Sequence, residues 1–546
     1  MSSTGTVHLV ATLYFCLVSA AVLAQEYVTV ETAVGSLRGS VRATYTNKPM
    51  YSFEGIPYAE PPVDDLRFQP PVSKEPWSGV RDALQPGSSC PQYVNNVVSG
   101  DEDCLFLNVY SPSLPGPNDG PDSLKAVMVW IHGGCFREGR SDTATPHYFV
   151  DNDVVFVSIN YRLGLLGFLS TGDDVVPGNL GLKDQTAALR WVQRNIPAFG
   201  GHPRKVTIFG ESAGGASIHY HILSPLSNYL YKNAIAMSGT ALSPWAFSRN
   251  ATDRAIRFAE YLGHTAKDSN DLVEFFKTVD AKTLVTNIDN ALSDEDRLSL
   301  FTCVWAPSVE PKHESAFLTE EPWKLVARGP YSLVPFLAGS TDLEQLAQTQ
   351  PGGVLSTEEQ VSNLKENFDE IVACDVRLPT REEQLDAARR VRQFYFNESD
   401  VSPQNNYTTA LFDSHLFFVE GVDAVVRSTA RYSTHPVYYY QFAYNGPISQ
   451  FPGAPGAAHA DDVTYLFLSS SLEPDADGAV LRDQMTAMFA NFAKTGDPTP
   501  EVNSLLTEKW LPYNETSPFY LRLSAPLSTG MDMFEPYMSF WHDLLP

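Results

Sequence analysis

Residues 206–214 read Val-Thr-Ile-Phe-Gly-Glu-Ser-Ala-Gly, and this stretch decides the predicted fold. A short apolar run leads into a serine between two glycines, and residues 215–223 behind it read as a helix. A serine at a tight strand-to-helix turn exposes its hydroxyl above the sheet, and larger flanking residues would collide with the neighbouring strand and helix. The pattern therefore predicts a nucleophile at Ser212, if the rest of the chain supplies its partners.

Other short apolar runs are separated by segments with helical spacing, such as residues 183–195. Each run is long enough for a buried strand. The runs cover residues 126–131, 154–160, 234–237, 334–339 and 437–443. Alternating strands and helices predict a mostly parallel sheet with helices on both faces, and the alternation around Gly35 predicts a strand pair at its edge. No linker divides the chain, so we expect residues 25–546 to form one α/β domain.

A serine nucleophile needs a base and an acid that orients the base, and both are expected downstream of Ser212. His459 lies in a loop of small residues, 452–460, that follows the last predicted strand. The candidates for the acid are Asp342 and Glu344, which both come just after the strand at 334–339. The residues alone leave the choice between these two carboxylates open.

The oxyanion of an acyl-transfer reaction needs backbone N–H donors. Residues 129–136 read Val-Trp-Ile-His-Gly-Gly-Cys-Phe, so a strand leads directly into a glycine pair whose amides can face a substrate oxygen. The amide of Ala213, which follows the nucleophile, is the expected third donor.

With these parts, the chain resembles the type-B carboxylesterases, the family that includes carboxylesterases and cholinesterases. The stretch 199–214 matches the family's active-site pattern, and Glu102-Asp-Cys-Leu-Phe-Leu-Asn-Val109 matches its second signature. Residues 160–164 and 178–185 also read as family sequence, and the resemblance extends from about Val28 to Trp541. It implies the α/β-hydrolase fold and hydrolysis of carboxylic esters.

The resemblance also implies roles for individual residues. Ser212, Glu344 and His459 are expected as nucleophile, acid and base, although Leu343 and Gln345 replace the usual Asp and Gly beside the acid. The implied oxyanion donors are the amides of Gly134, Cys135 and Ala213, and the implied polar neighbours of the histidine are Glu211, Ser238 and Asp462. A disulfide between Cys90 and Cys104 is implied in the same way.

Cys135 departs from the family pattern, which usually has glycine at this place in the oxyanion loop. We interpret it as a small apolar residue in place of alanine, although its side chain can also narrow the acyl site or expose a thiol. Removal of Cys16 with the leader leaves five cysteines, an odd number, and Cys135 is the one expected to be unpaired. Cys303 and Cys374 are then free to pair with each other.

Residues 1–24 are expected to be a secretory signal peptide, because an apolar run ends in Val-Leu-Ala before Gln25. The alternative for this run is an uncleaved membrane anchor. An extracellular protein is further indicated by four glycosylation sequons, at Asn250, Asn397, Asn406 and Asn514. The formal net charge of −26 argues against a nucleic-acid partner, and no second apolar run is long enough to cross a membrane.

The sequence thus predicts a secreted carboxylesterase that acts on small-molecule esters without a metal or other cofactor. The loop 91–103 lacks the tryptophan with which cholinesterases hold a quaternary ammonium, and Glu211 replaces the glutamine of typical juvenile-hormone esterases. General ester hydrolysis is therefore the preferred reading. The alternatives are a catalytically inactive adhesion protein and a slow-turnover binder of lipophilic esters, and the oligomeric state is left open.

Overall fold

The computed structural model describes residues 26–353, 355–397, 401, 406–469 and 473–545. The predicted signal peptide, residues 1–24, lies outside the described residues. Strands β1 to β15 have these bounds in chain order: Tyr27–Thr32, Gly35–Ala43, Pro49–Pro57, Val80–Asp82, Gln92–Val94, Val97–Ser99, Phe106–Ser111, Lys125–Ile131, Val155–Ile159, Gly201–Glu211, Asn233–Met237, Phe336–Thr341, Val437–Phe442, Phe519–Leu523 and Ser528–Met531.

Helices of very different length lie between the strands. Helices α1 to α14 have these bounds in chain order: His147–Asp151, Gly164–Phe168, Leu180–Asn195, Ala213–Leu223, Ala251–Tyr261, Ser269–Thr278, Ala281–Thr286, Pro322–Arg328, Glu358–Asp375, Arg381–Phe396, Asn406–Ser414, Glu420–Tyr432, Ala476–Thr495 and Tyr537–Leu544. None of those in the described ranges has both the length and the apolar character that crossing a bilayer requires.

The central sheet has 13 strands in the described residues, and its middle is parallel. The order is β1-β2-β3-β7-β9-β8-β10-β11-β12-β13-β14-β15, with β4 paired to β2. All pairs from β9 through β8 to β14 are parallel, whereas β1, β2, β3 and β7 form antiparallel pairs at one end. The predicted parallel sheet and the antiparallel strand pair around Gly35 are both confirmed.

Both faces of the sheet are covered, as the side chains of β8 show. Val127 and Val129 point into a hydrophobic cluster that includes residues of α3 and α4, such as Leu189. Met128 and Trp130, which alternate with them, point into a second cluster that includes Met485 of α13. From residue 126 to residue 131 the strand is therefore apolar throughout, because each face of a doubly covered sheet is buried.

A buried ion pair fixes the start of α3 against the end of β9. Arg162 donates to both carboxylate oxygens of Asp184, through Nε and Nη2, each at 2.7 Å. The side chains of Arg162 and Asp184 are only 4% and 0% exposed. Removal of either side chain would leave the other charge buried without a compensating partner, which is strongly destabilising.

We expect Arg162→Met to lower the free energy of unfolding by about 3–5 kcal/mol, because it leaves the Asp184 carboxylate buried without its partner. Chemical denaturation measures the effect. The matched control is Arg38→Met, which breaks the exposed pair of Arg38 with Asp82 and should cost far less, because water screens exposed charges. Equal losses in the two variants would contradict the stabilising role of the buried pair.

Candidate active site

Four elements of the predicted site come together at one edge of the sheet. Ser212 follows β10, Glu344 follows β12, His459 lies in the loop after β13, and Gly134 follows β8. These four strands are parallel, so their carboxyl ends meet at the same edge. Sites of α/β proteins are built at this edge.

Ser212 occupies a strained turn between β10 and α4. Its backbone has φ 59° and ψ −123°, a conformation that costs a non-glycine residue about 1–3 kcal/mol. Ser212 N donates to Met237 O at 2.9 Å, and Ala216 N donates to Ser212 O at 2.8 Å. A Cβ on Gly239 would collide with Ser212 O. The turn is thus fixed from both sides, and Ser212 Oγ has no hydrogen-bond partner among the described residues.

His459 is bound to Glu344 through its Nδ1 atom. Nδ1 lies 2.5 Å from Glu344 Oε2, and the backbone N of His459 donates to the carbonyl of Glu344 at 3.0 Å. Glu344 is fully buried, and its Oε1 accepts hydrogen bonds from Ser238 Oγ at 2.6 Å and from Thr341 N at 2.7 Å. The carboxylate is therefore held on both oxygens.

Asp342, the other candidate for the acid, has a different place in the structure. Its Oδ1 accepts a hydrogen bond from Ala457 N at 2.7 Å, and its Oδ2 lies 3.8 Å from Arg522 Nη2. Asp342 therefore anchors the loop that carries His459, while Glu344 faces the imidazole.

The other ring nitrogen of His459 faces Glu211. Nε2 lies 2.9 Å from Glu211 Oε1, and no hydrogen bond joins His459 to Ser212 within the described residues. Burial by itself lowers the pKa of the imidazole, but the charges and hydrogen bonds of Glu211 and Glu344 outweigh it and hold the pKa well above its usual value of 6.5. The structure thus favours an imidazolium between two carboxylates.

The predicted oxyanion loop lies directly against Ser212, the predicted nucleophile. A Cβ on Gly133 would come within 2.6 Å of Glu211 O and 2.9 Å of Ser212 Cβ, so only glycine fits there. The next residues, Gly134, Cys135 and Phe136, have φ of 94°, 52° and 55°. The amides of Gly134, Cys135 and Ala213 donate no hydrogen bond to any described residue, as expected of amides that await a substrate oxygen.

Asp462 lies next to the same carboxylates. It is fully buried, its Oδ2 accepts a hydrogen bond from Tyr440 at 2.8 Å, and its Oδ1 has no partner among the described residues. Burial, together with the charges of Glu211 and Glu344, raises the pKa of Asp462 to about 8. All three predicted polar neighbours of the histidine are thus close to it or to its acid.

The cysteines correct one expectation. Cys90 and Cys104 form a disulfide, but Cys135, expected to be unpaired, forms a second disulfide with Cys303. Cys374, the free cysteine of the described residues, therefore does not pair with Cys303. The error arose because 168 residues separate the two half-cystines, so nothing local in the sequence indicates that they meet.

An aromatic wall beside His459 was not predicted from the sequence. Phe418, in a π-helical turn spanning His415–Val419, lies 4.5 Å from the His459 ring, measured between ring centroids. Trp245 packs on Phe418 and Phe301 and donates from its indole to Phe417 O at 2.8 Å. No motif marks these residues, although π-helical turns often occur at functional sites.

The four predicted glycosylation sites lie on the surface of the protein. Asn250, Asn397, Asn406 and Asn514 are all exposed, which glycosylation requires. Within the described ranges, no group of three or more His, Cys, Asp or Glu side chains is arranged to hold a metal ion.

A family model described as the carboxylesterase family matches residues 26–541. The chain belongs to the carboxylesterase family. It is 36% identical over 496 residues to esterase FE4 of Myzus persicae, covering 88% of this chain and 86% of the relative. It is 34% identical over 505 residues to the juvenile hormone esterase of Tribolium castaneum, with shares of 87% and 84%. It is also 32% identical over 544 residues to acylcarnitine hydrolase of Mus musculus, with shares of 94% and 91%.

Membership of the carboxylesterase family confirms two predictions. The fold is that of an α/β-hydrolase, with the large, mostly parallel sheet described above. The chain is a carboxylic-ester hydrolase, and this family acts on small esters.

We expect Glu211→Gln to extend the activity of this carboxylesterase to lower pH. Because the Glu211 carboxylate raises the pKa of His459, its loss lets the imidazole give up its proton at lower pH. The acid limb of kcat/KM against pH should move down by about one unit or more. Glu211→Asp keeps the charge and is the control; superimposable acid limbs in the wild type and the glutamine variant would refute the role of Glu211.

Asp462→Asn should flatten the dependence of stability on pH. Between the unfolded pKa of about 3.9 and the folded value of about 8, only the unfolded state releases this proton, so stability falls as pH rises through that window. From pH 5 to pH 7.5, the free energy of unfolding of the wild type should therefore fall by up to about 3 kcal/mol more than that of the variant. Denaturant midpoints at the two pH values measure the difference, and parallel losses in both proteins would contradict it.

Proposed function

We propose that the chain is an exported serine esterase that hydrolyses carboxylic esters through a covalent acyl-enzyme. Ser212 would be the nucleophile, His459 the general base and Glu344 the residue that orients the base. The observation that carries this proposal is the arrangement at the carboxyl edge of the sheet. There, an imidazole bound to a buried carboxylate lies in the same site as a strained serine, which is flanked by three amides without partners.

In the first half-reaction, Ser212 Oγ forms a bond to the ester carbonyl carbon while His459 Nε2 takes the serine proton. The carbonyl π electrons move onto oxygen, and the amides of Gly134, Cys135 and Ala213 donate to that oxyanion. The oxyanion then collapses, the bond to the alcohol oxygen breaks, and His459 returns the proton to the leaving alcohol. The products of this step are the free alcohol and an ester of Ser212.

In the second half-reaction, water attacks the acyl carbonyl and gives its proton to His459. The bond to Ser212 Oγ breaks, and His459 returns that proton to the serine. The carboxylic acid leaves, and the enzyme regains its starting state. The pair of Glu344 with Nδ1 keeps the imidazole in one orientation through both halves and stabilises its charge.

Glu211 controls when the base becomes available. In the structure, His459 Nε2 faces Glu211 at 2.9 Å, so this nitrogen must turn to Ser212 and be free of its proton before the first step. Catalytic hydrogen bonds are often formed only when substrate binds. The same carboxylate then favours the imidazolium that forms during attack, so Glu211 lowers the fraction of free base in the resting enzyme but stabilises the transition state.

We also propose secretion, with residues 1–24 as a signal peptide and residues 25–546 as one catalytic domain. The disulfides Cys90–Cys104 and Cys135–Cys303 support this, since such bonds persist in oxidising compartments. The exposed sequons support it as well.

The test uses a fluorophosphonate probe, which reacts only with an activated serine, and a panel of nitrophenyl and naphthyl esters. Wild-type protein should label one to one at Ser212 and turn over the panel. Ser212→Ala should not label and should lose at least about 10³-fold in kcat, because the nucleophile is gone. Ser217→Ala is the matched control, since Ser217 lies on α4 but its hydroxyl bonds to Ala213 O at 2.8 Å. Equal turnover by the wild type and Ser212→Ala, or no labelling of the wild type, would refute the proposal.

A further inference from the structure

The disulfide between Cys135 and Cys303 joins two parts of the active site that are far apart in sequence. Cys135 belongs to the oxyanion loop, and Cys303 is buried, two residues beyond Phe301 of the aromatic wall. Neither the amide nor the carbonyl of Cys135 has a hydrogen-bond partner among the described residues. The disulfide is therefore the bond that fixes Cys135 against the opposite side of the site.

The Cys303 end of this link is itself rigid. Arg254 donates from Nη1 to the carbonyl of Val304 at 2.8 Å and pairs with Asp296 at 2.6 Å. Phe301 packs against Trp245 and Phe418 at centroid distances of 6.0 Å and 5.8 Å. The segment cannot move aside without breaking a largely buried ion pair and an aromatic cluster.

Trp245 brings this wall close to the nucleophile. A Cβ on Gly239 would collide with Ser212 O and come within 3.1 Å of Trp245 Cη2, so the indole and the backbone of Ser212 both lie next to the place where a side chain of residue 239 would stand. The wall therefore extends from Trp245 beside Ser212, through Phe301, to the disulfide at the oxyanion loop.

In the proposed mechanism, each group on the ester carbonyl carbon points to a different part of the site. The oxyanion points to the amides of the loop and of Ala213, and the leaving oxygen points to His459. The acyl chain takes the remaining direction, between the oxyanion loop and Trp245. The disulfide joins the two borders of this space, and Cys135, unlike buried Cys303, is partly exposed.

We propose that the Cys135–Cys303 disulfide is a fixed wall of the acyl site and restricts the enzyme to esters of short-chain carboxylic acids. A single long side chain can rotate away from a larger substrate, but a disulfide held at both ends cannot. In a pocket of this kind, one methylene too many costs about 10–200-fold in kcat/KM. This inference rests on the proposed function, because it places the acyl group on Ser212.

The test compares nitrophenyl acetate, butyrate, hexanoate and octanoate, which share one leaving group and differ only in acyl length. For the wild type, kcat/KM should fall by at least about 10-fold from acetate to hexanoate. In Cys135→Gly/Cys303→Ala, the hexanoate-to-acetate ratio should rise by at least about 10-fold. Cys90→Ala/Cys104→Ala removes the other disulfide of the described residues and is the control; it should keep the wild-type profile.

Two further measurements keep the proposal testable if the double variant does not fold. The wild-type profile alone decides against it if hexanoate and octanoate are hydrolysed as well as acetate. Phe301→Ala should widen the same space without touching the disulfide and should also favour the longer chains.

The other outcomes are equally distinct. A folded double variant that keeps the wild-type ratio, or that loses all four esters alike, would overturn the proposal; the second result would make the disulfide a positioning element for the loop amides. Turnover that persists in Ser212→Ala would instead refute the proposed function, so the two failures cannot be confused.

Discussion

The backbone of Ser212 is the constraint on which the rest of the site depends. A serine at φ 59° and ψ −123° is stable only if its surroundings allow no other conformation. Parallel strands on both sides of β10 provide this, together with glycines at 133 and 239 where no side chain fits. The sheet is thus a rigid scaffold that holds Ser212 in a conformation that the residue would not adopt alone.

The charges around His459 are the second feature on which the site depends. Glu344 holds Nδ1, Glu211 faces Nε2, and Asp462 is kept largely neutral because burial, and then the charges of the other two carboxylates, raise its pKa to about 8. A cluster of this kind stabilises an imidazolium more than a neutral ring. The proposed mechanism passes through an imidazolium at both tetrahedral intermediates, so the charges are in place before that reaction requires them.

The sequence predicted those parts of the fold that follow from local rules. Apolar runs became the central strands, often with slightly shifted ends: 334–339 was expected, and the strand is Phe336–Thr341. Pro335 lies at this boundary, and a proline cannot donate to a sheet. The strand-to-helix turn at Ser212 was also predicted from the sequence, because so tight a turn requires small residues on both sides of the serine.

The sequence by itself determined the α/β architecture, the carboxylesterase family and the set of candidate residues, because each depends on neighbours within a few positions or on long local motifs. Tertiary structure decided which residues meet. Glu344 rather than Asp342 faces the imidazole, since the two side chains point in different directions after the same strand. Cys135 bonds to Cys303, and Phe418 covers His459, across separations of 168 and 41 residues. Such contacts follow from the packing of the whole chain, and no local pattern encodes them.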